Sequence, residues 1–162
     1  MAIAMMSWLL AIPLLGAATG LRSMTPMAVL CWFSCMGYLP VDGTWAQWTE
    51  HRWVAIVFTV LALGELAADK TPWIPDRTSP APLLARLVLG GMAGCIAATA
   101  MNGSGIEGVV LGVVGAALGT FCGFMIRRDL DQKLGVGDWP VAFGEDLFAI
   151  MLALFSMRII TS

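Results

Sequence analysis

The chain reads as an all-α integral membrane protein, a compact six-helix transmembrane bundle, and three observations carry that reading. Of its 162 residues, 59% are hydrophobic and only 12% charged, whereas a soluble domain carries about 25% charged residues. Mean hydropathy is +0.82. The apolar residues are gathered into six runs, and in lipid each run must satisfy its own backbone, which makes helices the default.

Span one, residues 1–20, has no Lys or Arg ahead of its apolar core and no clear small-x-small cleavage site. It therefore reads as a retained span rather than a signal peptide, with Pro13 as a point where it can kink. Span two, residues 24–39, is short. Thr25 to Pro40 is 15 residues, about 22 Å of helix against a hydrocarbon core of about 30 Å. Its start is expected to sink into the membrane, with Ser23 or Thr25 as N-cap and Pro26 in the first turn. Span three covers residues 53–68 and span four residues 81–101. Span five covers residues 105–126 and span six residues 139–160.

The connections set the orientation. Arg22, Lys70, Arg77, Arg127, Arg128 and Lys133 lie in the odd-numbered connections, with Arg86 near the start of span four. The opposite side has Arg52 and Arg158. The positive-inside rule then places the odd-numbered connections in the cytoplasm and both termini outside. The location expected is an inner (cytoplasmic) membrane, crossed several times. Trp45, Trp48, Trp53, Trp73 and Trp139 fall at the predicted boundaries, as an aromatic belt would.

Span five, GIEGVVLGVVGAALGTFCG, places Gly105, Gly108, Gly112, Gly115, Gly119 and Gly123 at spacings of three and four. One face of this glycine-rich helix is thus open to close approach by another backbone. Span four carries Gly90, Gly91 and Gly94 and is joined to span five by a short turn, so it is the expected partner. A homo-oligomer formed through the same face is the competing reading. The pairs Gly64-Glu65 and Gly144-Glu145 sit at matching places in spans three and six. They raise a 3+3 inverted repeat, an architecture that recurs in transporters, against chance as the alternative.

Four blocks, GLRSMTPMAVLCW (20–32), LALGELAADKTPWIPDRTSPAPLLAR (61–86), the glycine ladder with Arg127 and Arg128, and DWPVAFGEDLFAI (138–150), together resemble a bacterial membrane-protein family catalogued as domain of unknown function 4126. They cover about half the chain in the expected order. The resemblance implies a helical membrane protein and implies no activity.

The charges lie deeper than span ends require. Glu65 comes five residues before Lys70, Arg86 five past Ala81, and Glu145 six past Trp139, depths of about 7–9 Å. Arg22 joins them if the start of span two is sunk. An ionisable group at such depth faces protein or a water-filled cavity, so Glu65 is expected opposite Arg86, Arg22 or both. Asp69 shares its helix face, and Arg77 can fold back over the cluster. The candidate binding residues are Arg22, Ser23, Glu65, Asp69, Lys70, Arg77, Arg86, Glu145 and Asp146.

Two functions compete. One is a small transporter or permeation protein for an unknown solute or ion, because Glu65, Glu145 and Asp146 outnumber Arg22 and Arg86. The other is a structural or partner-binding membrane subunit whose buried charges form an ion-pair network. Catalysis is not expected. The Gly103-Ser104-Gly105 turn resembles a serine-protease nucleophile loop, but the one histidine, His51, shows no sign of approaching it. Cys31, Cys35, Cys95 and Cys122 all lie in apolar runs without a CxxC, so no metal and no cofactor is expected. No basic patch with interleaved aromatics points to nucleic acid.

Overall fold

Long apolar runs with few breakers leave the backbone one economical way to satisfy its own hydrogen bonds, and among the described residues six α-helices result: Ala2–Leu21 (α1), Met24–Cys35 (α2), Arg52–Ala68 (α3), Pro80–Ala100 (α4), Gly105–Leu134 (α5) and Asp138–Ile160 (α6). A short 3-10 turn, Gln47–Glu50, precedes α3. The computed structural model describes the backbone of residues 2–68, 80–134 and 138–161, and side chains over 8–68, 80–129 and 143–161. Two helices, Pro80–Ala100 and Gly105–Asp129, are long and apolar enough to cross a membrane.

Two boundaries differ from expectation. α2 ends at Cys35, four residues before the expected Leu39. Gly37 takes φ +76°, its N–H donates to the Ser34 carbonyl at 3.0 Å, and the Tyr38 N–H donates to the Phe33 carbonyl at 2.9 Å. This is a Schellman cap, closed by the Phe33–Tyr38 ring contact at 5.9 Å. Leu39, Val41 and Ala46 are buried after the helix has ended, so their apolar character reports packing of a connection rather than helix. α5 errs the other way and continues to Leu134, 30 residues in all. Arg127, Arg128 and Asp129 make the segment polar without interrupting its backbone, and no Gly or Pro occurs between Gly123 and Gly135.

The turn between α4 and α5 repeats the cap with a different residue. Asn102 sits at φ 56°, with Asn102 N–H on the Thr99 carbonyl and Gly103 N–H on the Ala98 carbonyl. Asparagine tolerates this left-handed position better than most residues.

The glycine face of α5 is divided between two neighbours. Gly108 and Gly112 abut Gly94 and Gly90 of α4, as expected. Gly115 and Gly119 instead lie on the Pro13 and Ala17 carbonyls of α1, and Gly16 and Gly20 of α1 face Gly112 and Ala116 in return. A Cβ at any of these glycines would run into backbone, so the three helices touch main chain to main chain. α1 packs extensively on α5, α6 and α4, whereas α5 and α6 scarcely touch each other. The core gathers around Ile12, Leu15, Met27, Leu30, Ile96 and Met157. Large apolar side chains also point outward, including Trp53, Val57 and Val60 of α3 and Phe143, Leu147 and Met151 of α6.

Candidate functional site

The chain runs up and down, so the ends of α1, α3 and α5 meet the starts of α2, α4 and α6 on one side of the structure. At its centre is the break between α1 and α2, at Arg22 and Ser23. A helix end leaves carbonyls without intrahelical donors, and a helix start leaves N–H groups without acceptors. Here both kinds of group fall within a few residues and inside the protein.

Opposite charges from two other helices satisfy them. The Gly20 carbonyl, in the last turn of α1, accepts hydrogen bonds from Arg86 Nη1 of α4 at 3.1 Å and from the Thr120 hydroxyl of α5 at 3.1 Å. The Glu65 carboxylate of α3 accepts from the Ser23 N–H through Oε1 and from the Met24 N–H through Oε2, both at 2.9 Å. A cation therefore sits at the negative end of one helix dipole and an anion at the positive end of the next, each worth about 0.3–1 kcal/mol and up to about 2 when partly buried.

Between these two contacts lies Arg22, 1% exposed, with Asp146 of α6 as its ion-pair partner. Arg86 and Asp146 are buried as well. Farther out, Arg127 Nη1 of α5 stands 4.0 Å from Glu145 Oε2. Among the described residues, Arg22, Arg86 and Arg127 thus match Glu65, Glu145 and Asp146 in number, three positive against three negative.

Most of the sequence-derived residues come together, with altered roles. Glu65 engages the backbone that follows Arg22. Ser23 or Thr25 was expected to cap α2; Ser23 holds the N-cap position but makes no side-chain cap and contributes its N–H to Glu65 instead. Its helical φ of −63° and ψ of −47° depart from the extended backbone usual at that position. Asp69, Lys70 and Arg77 fall outside the described residues.

Arg127 and Thr120 were not among the expected site residues. Ending span five at Ile126 had assigned Arg127 to a solvated connection. In the fold it lies one turn beyond Gly123, where a Cβ would stand 3.4 Å from Glu145 Oε1. Among the described residues the count that favoured a bound cation evens out once Arg127 is included.

A family model described as "Domain of unknown function (DUF4126)" matches residues 9–159. No curated protein and no solved structure matches the chain.

Proposed function

The chain belongs to the DUF4126 family, and from that premise we propose that it is a multi-pass protein of the bacterial inner membrane, acting as a structural or partner-binding subunit whose charge cluster is a permanent latch. The observation that carries the latch is the Glu65 carboxylate, both of whose oxygens are engaged by the first N–H groups of α2. A transport carboxylate has to exchange its partners. This one holds two backbone donors that the break in the helix would otherwise leave unsatisfied.

Support for membrane residence comes from the two long apolar helices and from the outward-facing Trp, Val, Phe and Met side chains. The shorter α2 spans about 18 Å, and the buried Leu39, Val41 and Ala46 complete its traverse. All six helices then cross, with the latch on the cytoplasmic side and both termini outside. Alkali-resistant membrane fractionation tests residence, and reporter fusions at Ser162 and Lys133 should report opposite faces. A cytoplasmic signal from Ser162 would overturn this topology.

A second reading, transport of a small solute or ion, is favoured by one feature: Glu145 also lines an open groove. Flux through liposomes containing the purified protein decides between the two readings. Glu65→Gln that abolishes flux while melting like the wild type would support transport. Glu65→Gln that melts lower, with no flux from the wild type for any ion tested, would support the latch.

A further inference from the structure

α5 and α6 both pack on α1 yet scarcely touch each other. The wedge between them is a groove of about 720 Å³ with α1 as its floor, within the roughly 300–1,000 Å³ of small-molecule sites. Its walls are apolar, built by Leu14 and Leu21 of α1, Leu118 and Cys122 of α5, and Phe148 and Leu152 of α6. Among the described lining residues, charged groups appear at one end only, where Arg127 and Glu145 close it beside Gly144.

Its dimensions match one leaflet of a bilayer. Leu118 to Arg127 is nine residues and Gly144 to Leu152 is eight, or about 14 and 12 Å of helix, against about 15 Å for half the hydrocarbon core. Gly105 to Arg127 is 22 residues, about 33 Å, so Arg127 stands about one core thickness from the start of α5, near the edge of the hydrocarbon, where its long side chain can extend toward lipid phosphates. Its side chain is 27% accessible, and the exposed Arg128 follows it. A guanidinium pairs with phosphate through several donors at once.

We propose that this groove between α1, α5 and α6 holds one acyl chain of a diacyl phospholipid whose phosphate meets Arg127. The proposal rests on the membrane reading and is independent of whether the latch is static. Lipid chains are the solvent on this side of the protein, and the groove offers one of them a walled site in place of a flat helix face. The polar end selects which way round the molecule sits, because an apolar chain end would leave Arg127 facing hydrocarbon.

Gly144 supplies the means of testing it. A Cβ there would meet nothing within 4 Å, and the same is true of Gly64 on α3, away from the groove. Gly144→Leu therefore plugs the polar end without disturbing a helix contact, and Gly64→Leu is the matched control.

The experiment reconstitutes the full chain into phosphatidylglycerol vesicles doped with a phospholipid carrying a photoactivatable diazirine on its acyl chain, and maps the labelled peptides. Labelling should concentrate on Leu118–Ile126 and Gly144–Leu152, survive Gly64→Leu and be lost in Gly144→Leu. Diazirine-labelled diacylglycerol, which lacks the phosphate, should label these peptides less than the phospholipid does, and Arg127→Gln should erase that difference. Label spread evenly over the outward faces of α3 and α5 in the wild type would overturn the proposal, as would equal labelling by diacylglycerol. Both outcomes are read on wild-type protein, so they stand if Gly144→Leu fails to fold. Absence of the chain from the alkali-resistant membrane fraction would instead refute the membrane reading itself.

Discussion

Replacing Glu65 by glutamine keeps the shape of the side chain and removes its charge. The wild-type carboxylate takes two charge-assisted hydrogen bonds from the Ser23 and Met24 N–H groups, each worth about 1.5–3 kcal/mol net. Glutamine has one acceptor oxygen and an NH₂ that only donates. It can keep one of the two bonds, as a neutral bond worth about 1 kcal/mol, and it turns donors toward the other N–H. The favourable placement of an anion at the start of α2 is lost as well. The net destabilisation is about 2–5 kcal/mol, and at about 2–4 °C per kcal/mol for a chain of this length the melting temperature should fall by roughly 4–20 °C. The chain has seven tryptophans, so intrinsic fluorescence during heating in detergent or nanodiscs reads the transition directly. Glu65→Asp, one methylene short of reaching both donors, should fall between the two. A Glu65→Gln protein melting within about 2 °C of wild type would refute the latch, because the two N–H groups would then have no need of the carboxylate.

Other perturbations follow the same logic. Arg22→Met removes the cation of the buried Arg22–Asp146 ion pair and should destabilise by about 3–5 kcal/mol, whereas adding Asp146→Leu should recover most of that loss; a double variant no better than the single would show that the pair is not coupled. Gly115→Leu drives a side chain into the Pro13 backbone and should prevent folding or lower the melting temperature far more than Val114→Leu, which alters an exposed side chain. Val113 is a poor control, because its Cγ2 faces Gly91. In the α2–α3 connection, burial of Glu50 and the neighbouring Asp42 carboxylate, which shares a hydrogen bond with it, push Glu50 above the usual carboxylate range, with His51 pulling the other way. A raised folded-state value favours the protonated form, so this contribution is fully present below the unfolded value of about 4.3 and is lost as pH rises through the folded one. Glu50→Gln, which mimics the protonated side chain, should therefore melt above wild type at neutral pH, and the gap should close below about pH 4.3; a gap independent of pH would contradict the assignment.

What the sequence by itself determined was one-dimensional. Hydropathy placed the six helices, because an unbroken apolar run has few alternatives to helix. Glycine spacing marked the face of α5 that others approach, because a missing Cβ is a local property. The distance of Glu65, Arg86 and Glu145 from the ends of their helices pointed to the protein side of the bundle; Arg86 is buried, and Glu65 and Glu145 are half-buried. The two helix ends read wrongly, at Cys35 and at Leu134, turn on the difference between apolar and helical. Leu39 and Val41 are apolar in a connection, and Arg127 is charged within a helix. Even there Gly37, followed at Pro40 by a residue that commonly trails a helix end, was a legible stop signal.

Only the tertiary structure decided who meets whom. Gly115 and Gly119 turn to α1 and not to α4 because a glycine ladder on a straight helix rotates past one neighbour and reaches the next; its spacing carries no partner's name. Glu65 caps α2 because backbone N–H groups have no letter in the sequence, and counting side-chain charges misses them as acceptable partners for a carboxylate. Arg127 enters the cluster through the position of α6 beside α1, a packing choice that no local pattern encodes. A charge count along the chain therefore left an excess of one acid, whereas among the described residues the fold brings three arginines to three acids, because electrostatic balance depends on distance in space and on the helix ends that lie between the charges.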